Sequence, residues 1–281
     1  MKFFELIDKK DAIFIDIEGV LVDNLEKGNA FPDALEFMNY LKDKKFQILT
    51  NLARISSIRV SNILTSVGFT NITPDVIINP TKAALNQILA KRFSKPVKVF
   101  LISEGGHVED ISIFSWIEIV KNEPIDAILL GANRSLTYAE LNFAFQLFMK
   151  GKPLIVLGGD LYSYGKCFNS EGYFLMEGAF AKVLEMATNK EAIYVGKPSK
   201  EMYLEALERV NLDPSRVLMI GDSYKTDILG AVRLGIDSLL IDRKGCERDV
   251  CIESIENEAR EGTKIFISQS LALDKEIERI F

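Results

Sequence analysis

The stretch that decides the fold reads AIFIDIEGV at residues 12–20. Its apolar start is typical of a buried strand, and the strand ends at Asp16. Gly19 follows shortly after, so the chain is predicted to turn there. Open parallel α/β sheets bind ligands beyond the carboxyl ends of their strands. An acidic side chain at such a strand end therefore predicts a functional edge.

Outward from this stretch, short apolar runs alternate with amphipathic helical segments, which is typical of an α/β fold with a parallel sheet. We expect a loop at residues 158–173 and a charged helix at residues 272–280. Residues 193–195 are predicted to form the first strand of a block of alternating strands and helices in the later part of the chain. Strands are predicted at residues 12–16, 46–49, 97–102, 127–130, 154–157, 193–195, 217–220, 238–241 and 264–268.

Composition bounds the class of protein. The chain has 281 residues, 48% of them hydrophobic, which is enough for a sizeable core and suits a division into two domains. The net charge of -6 argues against a nucleic-acid partner. No apolar run approaches the ~20 residues that cross a bilayer, and the N-terminus is too short and charged for a secretory signal. We therefore expect no membrane partner and a cytoplasmic location.

Four polar motifs occur where predicted strands end. Together they supply carboxylates, a hydroxyl group with free backbone amides, and a lysine. Phosphoryl transfer needs this set, because it uses a nucleophile, a metal site and donors for the phosphoryl oxygens. The motifs are DIEGV at residues 16–20, LTN at 49–51, GKP at 196–198, and GDS at 221–223 with Thr226-Asp227 after it.

The carboxylates in these motifs predict a bound Mg²⁺ ion. Two carboxylates at ~4 Å repel by about 4 kcal/mol at an effective dielectric constant of ~20. Gathering Asp16, Asp222 and Asp227 around a phosphate dianion would be prohibitive without a hard cation. Mg²⁺ suits an all-oxygen site that bridges to a substrate phosphate, and no histidine and cysteine set suited to zinc accompanies it.

Each motif also has an ordinary structural role. Asp16 could be a turn residue, Thr50-Asn51 could begin a helix, and Lys197 could be solvated. The last motif could likewise provide turn and helix-capping residues. Their joint occurrence at strand ends, in this order, favours a shared site.

The motifs DIEGVL, ILTN, VGKPS and GDSYKTDILGA resemble the haloacid dehalogenase (HAD) superfamily. The resemblance is to its p-nitrophenyl phosphatase and phosphoglycolate phosphatase branch, which carries a large type 2 cap. It implies a Rossmann-like parallel-sheet core formed by residues 1–79 and 190–281. An inserted α/β cap domain would span residues 80–189 and close over the leaving group.

The resemblance also implies roles at the metal site. Asp16 would be the nucleophile and a Mg²⁺ ligand. The carbonyl of Glu18 and the carboxylate of Asp222 would complete the protein's metal contacts. Asp227 would support the metal shell through water or hydrogen bonds.

For the phosphoryl group, the resemblance implies contacts from Thr50, the amide of Asn51, and Lys197, which also offsets charge on the nucleophile. In the cap, Gly158-Gly159-Asp160 stands where relatives usually have Asn-Pro-Asp, so Asp160 keeps the acidic position for a substrate contact. His107, the only histidine, is more simply explained as a surface or turn residue.

Glu18 departs from the branch, which normally has Asp two residues after the nucleophile to protonate the leaving group and activate water. The expected function is Mg²⁺-dependent hydrolysis of a small phosphorylated metabolite through an aspartyl-phosphate. The alternative is a catalytically weakened protein that binds such metabolites as a regulatory module. A phosphomutase fits less well. The oligomeric state is open, although capped relatives often pair as homodimers through the cap.

Overall fold

The chain folds as two compact units. The computed structural model describes residues 1–25, 28–52, 54–167, 170–245 and 258–281. The first unit comprises Met1–Thr50, Ser57–Ile78 and Lys197–Phe281, and the second comprises Asn51–Ser56 and Asn79–Gly196. Both contain a parallel sheet with helices, which confirms the predicted α/β class.

The first unit is built on a seven-stranded sheet of order β14-β13-β12-β11-β1-β2-β3. All neighbouring strands are parallel except the β13–β14 pair. Its strands are β1 (Ala12–Ile15), β2 (Lys45–Leu49), β3 (Ile77–Ile78), β11 (Val217–Gly221), β12 (Asp237–Ile241), β13 (Ile265–Ser268) and β14 (Glu278–Arg279).

Helices of the first unit cover the sheet with apolar side chains. Pro32 begins α2, as predicted, because its fixed φ suits the first turn of a helix. The helices are α1 (Phe3–Asp8), α2 (Pro32–Tyr40), α3 (Ser57–Ser66), α9 (Lys200–Val210) and α10 (Leu229–Arg233), with 3₁₀ turns at Leu41–Asp43, Pro74–Val76 and Pro214–Arg216 and a π-type turn at Tyr224–Ile228.

The second unit has a five-stranded parallel sheet of order β10-β7-β6-β4-β5 and a separate two-stranded hairpin. Its strands are β4 (Val97–Ile102), β5 (Ile117–Ile119), β6 (Ala127–Leu130), β7 (Leu154–Leu157), β8 (Tyr162–Cys167), β9 (Ser170–Leu175) and β10 (Ile193–Val195). Its helices are α4 (Pro80–Ala83), α5 (Ala90–Arg92), α6 (Gly106–Ser112), α7 (Tyr138–Met149) and α8 (Glu177–Thr188), with a π-type turn at Ala84–Leu89.

The placement of residues 193–195 differs from the prediction. The sequence grouped them with the later strands, and the core was expected to resume at residue 190. Instead β10 pairs in parallel with β7, matching Ile193 with Ile155 and Val195 with Leu157. The second unit therefore continues to Gly196, because this strand completes the edge of its sheet.

The loop predicted at residues 158–173 was wrong in part. Residues 162–167 and 170–175 form two antiparallel strands in which Tyr162 pairs with Leu175 and Tyr164 with Tyr173. The tyrosines also stack edge to face, at 5.7 Å for Tyr162–Tyr173 and 5.2 Å for Tyr164–Tyr173. Aromatic cross-strand pairs of this kind stabilise a strand that glycine and serine disfavour.

The helix predicted at residues 272–280 was also wrong. In its place, β14 pairs antiparallel with β13, matching Phe266 with Arg279. The amide of Ile277 donates to the Met1 carbonyl at 2.9 Å, and that of Ile280 donates to the Ile265 carbonyl at 2.9 Å. These long-range partners replace the local hydrogen bonds of a helix, since helix propensity is a weak preference.

Among the described residues, no helix has the length and apolar character to cross a bilayer.

Candidate active site

Asp16 lies at the carboxyl end of β1, in the middle of the first-unit sheet. Strand β1 pairs with β2 on one side and with β11 on the other, so the strand order reverses next to it. The Asp16 amide continues the ladder by donating to the Ile220 carbonyl at 2.9 Å. This is the switch point at which open α/β sheets bind ligands.

Three carboxylates meet at this point. Asp16, Asp222 and Asp227 each offer an oxygen, and these oxygens lie within 4.8 Å of one another. Asp222 directly follows β11, and Asp227 lies in the π-type turn, where its Oδ2 accepts a hydrogen bond from the Ser223 amide at 3.1 Å. In the described ranges it is the one group of three or more acidic, histidine or cysteine side chains with this spacing.

Two glycines make this close approach feasible. Gly19 has φ +77°, and a Cβ atom there would lie 1.9 Å from the Asp222 carboxylate. A Cβ atom on Gly221 would lie 2.2 Å from the Cβ of Asp227. Both contacts are far inside van der Waals distance, so side chains at these positions would push the carboxylates out of place.

Lys197 joins the carboxylates from within the first unit. Its Nζ lies 2.5 Å from Oδ1 of Asp16 and 2.6 Å from Oδ1 of Asp227. The residue is only 6% exposed, so the alternative of a solvated lysine is wrong. Tyr203 packs beside the group, and its hydroxyl lies 2.8 Å from the backbone carbonyls of Thr226 and Asp227.

Burial and charge shift both ends of the Asp16–Lys197 pair. Burial raises the pKa of Asp16 to about 7, with the nearby Asp227 and Asp222 carboxylates adding to the rise and Lys197 opposing it. Burial alone would lower the pKa of Lys197, but the carboxylates of Asp16 and Asp227 raise it above its ordinary value. The site therefore holds more negative charge than its one lysine neutralises.

The remaining predicted residues are distributed between the units. Glu18 is held by the turn after β1, where its Oε1 accepts from the Leu25 amide at 3.0 Å. Thr50 follows β2 and is buried, and its amide donates to the Ile78 carbonyl at 3.1 Å. Asn51 and Asp160 belong to the second unit, and their roles stay predictions.

Arg243 is a residue that the sequence motifs did not single out. It lies just beyond β12, and its guanidinium Nε donates to the Gly19 carbonyl at 3.2 Å. A cavity of about 550 Å³ is lined by Arg243 together with Glu18, Gly19 and Asp222. The available sequence signal was its position two residues after the end of β12, because open α/β sheets bind ligands beyond the carboxyl ends of their strands.

His107 also differs from its prediction as a surface or turn residue. It is fully buried in α6 of the second unit, with Nδ1 2.7 Å from the Thr81 hydroxyl. Its Nε2 packs so closely on Gly131 that a Cβ atom there would lie 2.5 Å away. Burial lowers the pKa of His107 to about 4, which favours the neutral ring.

Family models match two parts of the chain. A model described as haloacid dehalogenase-like hydrolase matches residues 13–112, and a HAD-hydrolase-like model matches residues 194–265. The mouse haloacid dehalogenase-like hydrolase domain-containing protein 2 is 30% identical over 233 residues, covering 82% of this chain and 83% of its own. The human phospholysine phosphohistidine inorganic pyrophosphate phosphatase is also 30% identical, with 82% of each chain covered.

Solved structures share the fold. A p-nitrophenyl phosphatase from Archaeoglobus fulgidus superposes with a TM-score of 0.79 at 24% identity, covering 94% of this chain and 98% of its own. A glycerol phosphate phosphatase from Mycobacterium tuberculosis, solved with magnesium, has a TM-score of 0.82 at 19% identity, covering 98% and 80%.

The carboxylate cluster at the ends of the parallel strands and the phosphatases among the relatives agree on the class of protein, which is a hydrolase of the phosphatase class. The chain belongs to the haloacid dehalogenase-like hydrolases. The resemblance to the haloacid dehalogenase superfamily inferred from the four motifs is confirmed, and a solved p-nitrophenyl phosphatase structure shares the fold.

Proposed function

We propose that the chain is a Mg²⁺-dependent phosphomonoester hydrolase that acts through an aspartyl-phosphate on Asp16. The observation that carries the proposal is the cluster at the end of β1. It combines a buried carboxylate at the switch point, two further carboxylates within 4.8 Å, and a lysine 2.5 Å from the first.

The donor set fits a hard divalent cation. The cluster offers only oxygen atoms, and burial with mutual repulsion raises the pKa of Asp16 to about 7, so a bound cation would favour its ionised form. Asp16, Asp222 and the Glu18 carbonyl would hold Mg²⁺, with Asp227 supporting them. When bound, the ion would neutralise charge on the phosphoryl oxygens.

In the proposed reaction, a carboxylate oxygen of Asp16 attacks phosphorus and the bond from phosphorus to the ester oxygen breaks. The leaving oxygen takes a proton from the Glu18 carboxyl. A water molecule then attacks the aspartyl-phosphate and returns a proton to Glu18. Inorganic phosphate leaves, and the Asp16 carboxylate is regenerated. Atoms and charges balance over one turnover, which consumes one water molecule.

Lys197 supports the first step by its charge. It lies against Asp16 and Asp227, so it favours the ionised form of the nucleophile and would attract the phosphoryl oxygens. The Thr50 hydroxyl and the Asn51 amide would provide further hydrogen bonds to those oxygens. Thr50 follows β2, the strand next to β1, which places it at the same sheet edge as Asp16.

We propose that residues 80–189 act as a cap that selects the leaving group, with Asp160 as a substrate contact. The substrate would be a small phosphorylated metabolite, in line with the structural similarity to a glycerol phosphate phosphatase and a p-nitrophenyl phosphatase. Two copies of the chain would pair through this cap.

Phosphate release from p-nitrophenyl phosphate tests the proposal. Wild-type protein should release phosphate with Mg²⁺, should lose the activity in EDTA, and should carry an acid-stable mass increase of one phosphoryl group on Asp16 after quenching. The matched control is Asp16→Asn. The proposal fails if a broad panel of phosphomonoesters gives equal rates for both proteins.

A regulatory binding module is the second candidate, because Glu18 replaces the expected Asp and one of its oxygens is already bonded to the Leu25 amide. It predicts that phosphorylated metabolites raise the melting temperature of the protein while none is turned over. Turnover that depends on Asp16 would exclude it.

A further inference from the structure

Arg243 connects three segments around the turn that follows the nucleophile. Its Nε and Nη2 donate to the carbonyl oxygens of Gly19 and Val20, each at 3.2 Å. Its Nη1 and Nη2 also donate to the two carboxylate oxygens of Asp33, at 3.0 and 3.1 Å. The guanidinium carbon lies 3.9 Å from the centre of the Phe31 ring.

This arrangement is stronger than an ordinary surface ion pair. The Arg243 and Asp33 side chains are 20% and 17% exposed, so the pair is only weakly screened by solvent. A two-pronged arginine–carboxylate contact also fixes orientation as well as distance. Asp33 is itself held by the Leu271 amide, which donates to its Oδ2 at 2.8 Å.

The turn that Arg243 holds also carries Glu18. The Gly19 amide donates to the Val22 carbonyl at 2.8 Å, which closes the turn. The Leu25 amide then donates to Oε1 of Glu18 at 3.0 Å, which fixes the carboxylate. Arg243 therefore contacts the backbone directly after Glu18 and the next residue along.

We propose that Arg243 is a positioning residue for Glu18, acting through the Gly19–Val20 turn. The inference rests on the proposed function, in which Glu18 protonates the leaving group and later activates water. Glutamate has one more rotatable bond than the aspartate expected by the family, so its carboxyl needs a more rigid backbone to stay in place. Arg243 supplies that rigidity from the end of β12.

The test compares two substrates with different leaving groups. An alkyl phosphate needs protonation of its leaving oxygen, whereas p-nitrophenyl phosphate does not. In Arg243→Ala, kcat/KM for the alkyl phosphate should fall about 10- to 100-fold, the size expected for displacing a catalytic group by about 1 Å. With p-nitrophenyl phosphate, kcat/KM should change less than about threefold. Its kcat should fall, because a displaced Glu18 activates water more slowly. A purely structural defect would lower both kcat/KM values equally, and that result would overturn the inference.

Arg209→Ala is the matched control. Arg209 also bonds a carboxylate, that of Glu205 at 2.8 Å, and a carbonyl, that of Asp75 at 2.6 Å, but it lies on α9 away from the turn. Its removal should leave the ratio of the two kcat/KM values unchanged. A changed ratio in this variant would count against the specific role of Arg243.

A double-mutant comparison identifies the partner. If Arg243 acts through Glu18, adding Arg243→Ala to Glu18→Gln should lower kcat/KM for the alkyl phosphate by less than about threefold. Losses that multiply would overturn the inference. Arg243→Lys and Asp33→Asn give milder perturbations should the alanine variant not fold, and normal substrate ratios in both would also overturn it. A wild-type protein with no turnover of either substrate would instead refute the proposed function.

Discussion

The two units both bury polar side chains, but they balance them differently. In the first unit, three carboxylates share one lysine, and burial raises the pKa of Asp16 to about 7. In the second, two of the buried polar contacts join a pair of side chains each: Thr81 lies 2.7 Å from His107, and Asn79 donates to Asp110 at 2.5 Å.

The difference separates a binding site from a structural network. Buried polar side chains that hydrogen-bond to one another offset the cost of their burial, which supports a fold. Excess like charge destabilises a fold unless a ligand neutralises it. The carboxylate cluster of the first unit (Asp16, Asp222 and Asp227) should therefore respond to a cation and to phosphate. Substitutions in this cluster should lower activity, whereas substitutions at the buried polar pairs of the second unit should lower stability.

The largest expected effect is on the nucleophile. Asp16→Asn should lower kcat with p-nitrophenyl phosphate by on the order of 10⁵-fold, because the amide cannot form the aspartyl-phosphate. Asp110→Asn, in the second unit, should leave kcat within about threefold and lower the melting temperature. Equal losses of kcat in Asp16→Asn and Asp110→Asn would contradict the assignment of catalysis to the first unit and of a structural role to Asp110.

Removal of the proposed acid and base comes next. Glu18→Gln should lower kcat by about 10²- to 10⁴-fold, the usual contribution of general acid–base catalysis. Glu18→Asp keeps the carboxyl group and should stay within about tenfold of wild type. Steady-state kinetics on an alkyl phosphate measure both, and an unchanged kcat in the Gln variant would remove Glu18 from the mechanism.

His107 of the second unit should make stability, but not activity, depend on pH. The pKa of His107 falls to about 4 from an ordinary 6.5, because burial disfavours the charged ring. Between pH 6.5 and pH 4, His107 binds a proton in the unfolded chain but not in the folded protein. The folded protein therefore loses stability as the pH falls from 6.5 towards 4. The loss reaches about 3 kcal/mol.

Chemical denaturation of the wild type and of His107→Gln at pH 7 and pH 5 measures this effect. The wild type should lose more stability than the variant on acidification, while kcat of the variant at pH 7 should stay close to wild type. The same loss in both proteins would mean that other groups control the acid response.

Cation binding should give an effect on stability of about the same size. At a Mg²⁺ concentration one hundred times its dissociation constant, the folded protein gains about 3 kcal/mol. Thermal unfolding should therefore shift upward with Mg²⁺ in the wild type and much less in Asp222→Asn. His107→Gln should retain the full shift, since His107 is not part of the carboxylate cluster.

Much of the fold follows from local sequence. Strands such as β1 and β11 are continuous apolar runs, and α2 begins at a proline in the position where helices accept it. Where prediction failed, long-range pairing decided the outcome. The C-terminal segment had helical composition, yet its amides bond to Met1 and Ile265 instead of to their own turn.

By itself, the sequence determined which side chains follow the strands and therefore which chemistry is available. This is because a residue that follows a parallel strand lies at the carboxyl edge of the sheet. Asp16, Lys197 and Asp222 could be named on that basis. Only the tertiary structure decided how the charges balance: that Lys197 meets two carboxylates, that His107 is buried and neutral, and that Arg243 reaches back to the Gly19 turn. Such contacts join residues up to 224 positions apart, and their energies depend on burial and distance, which no local pattern encodes.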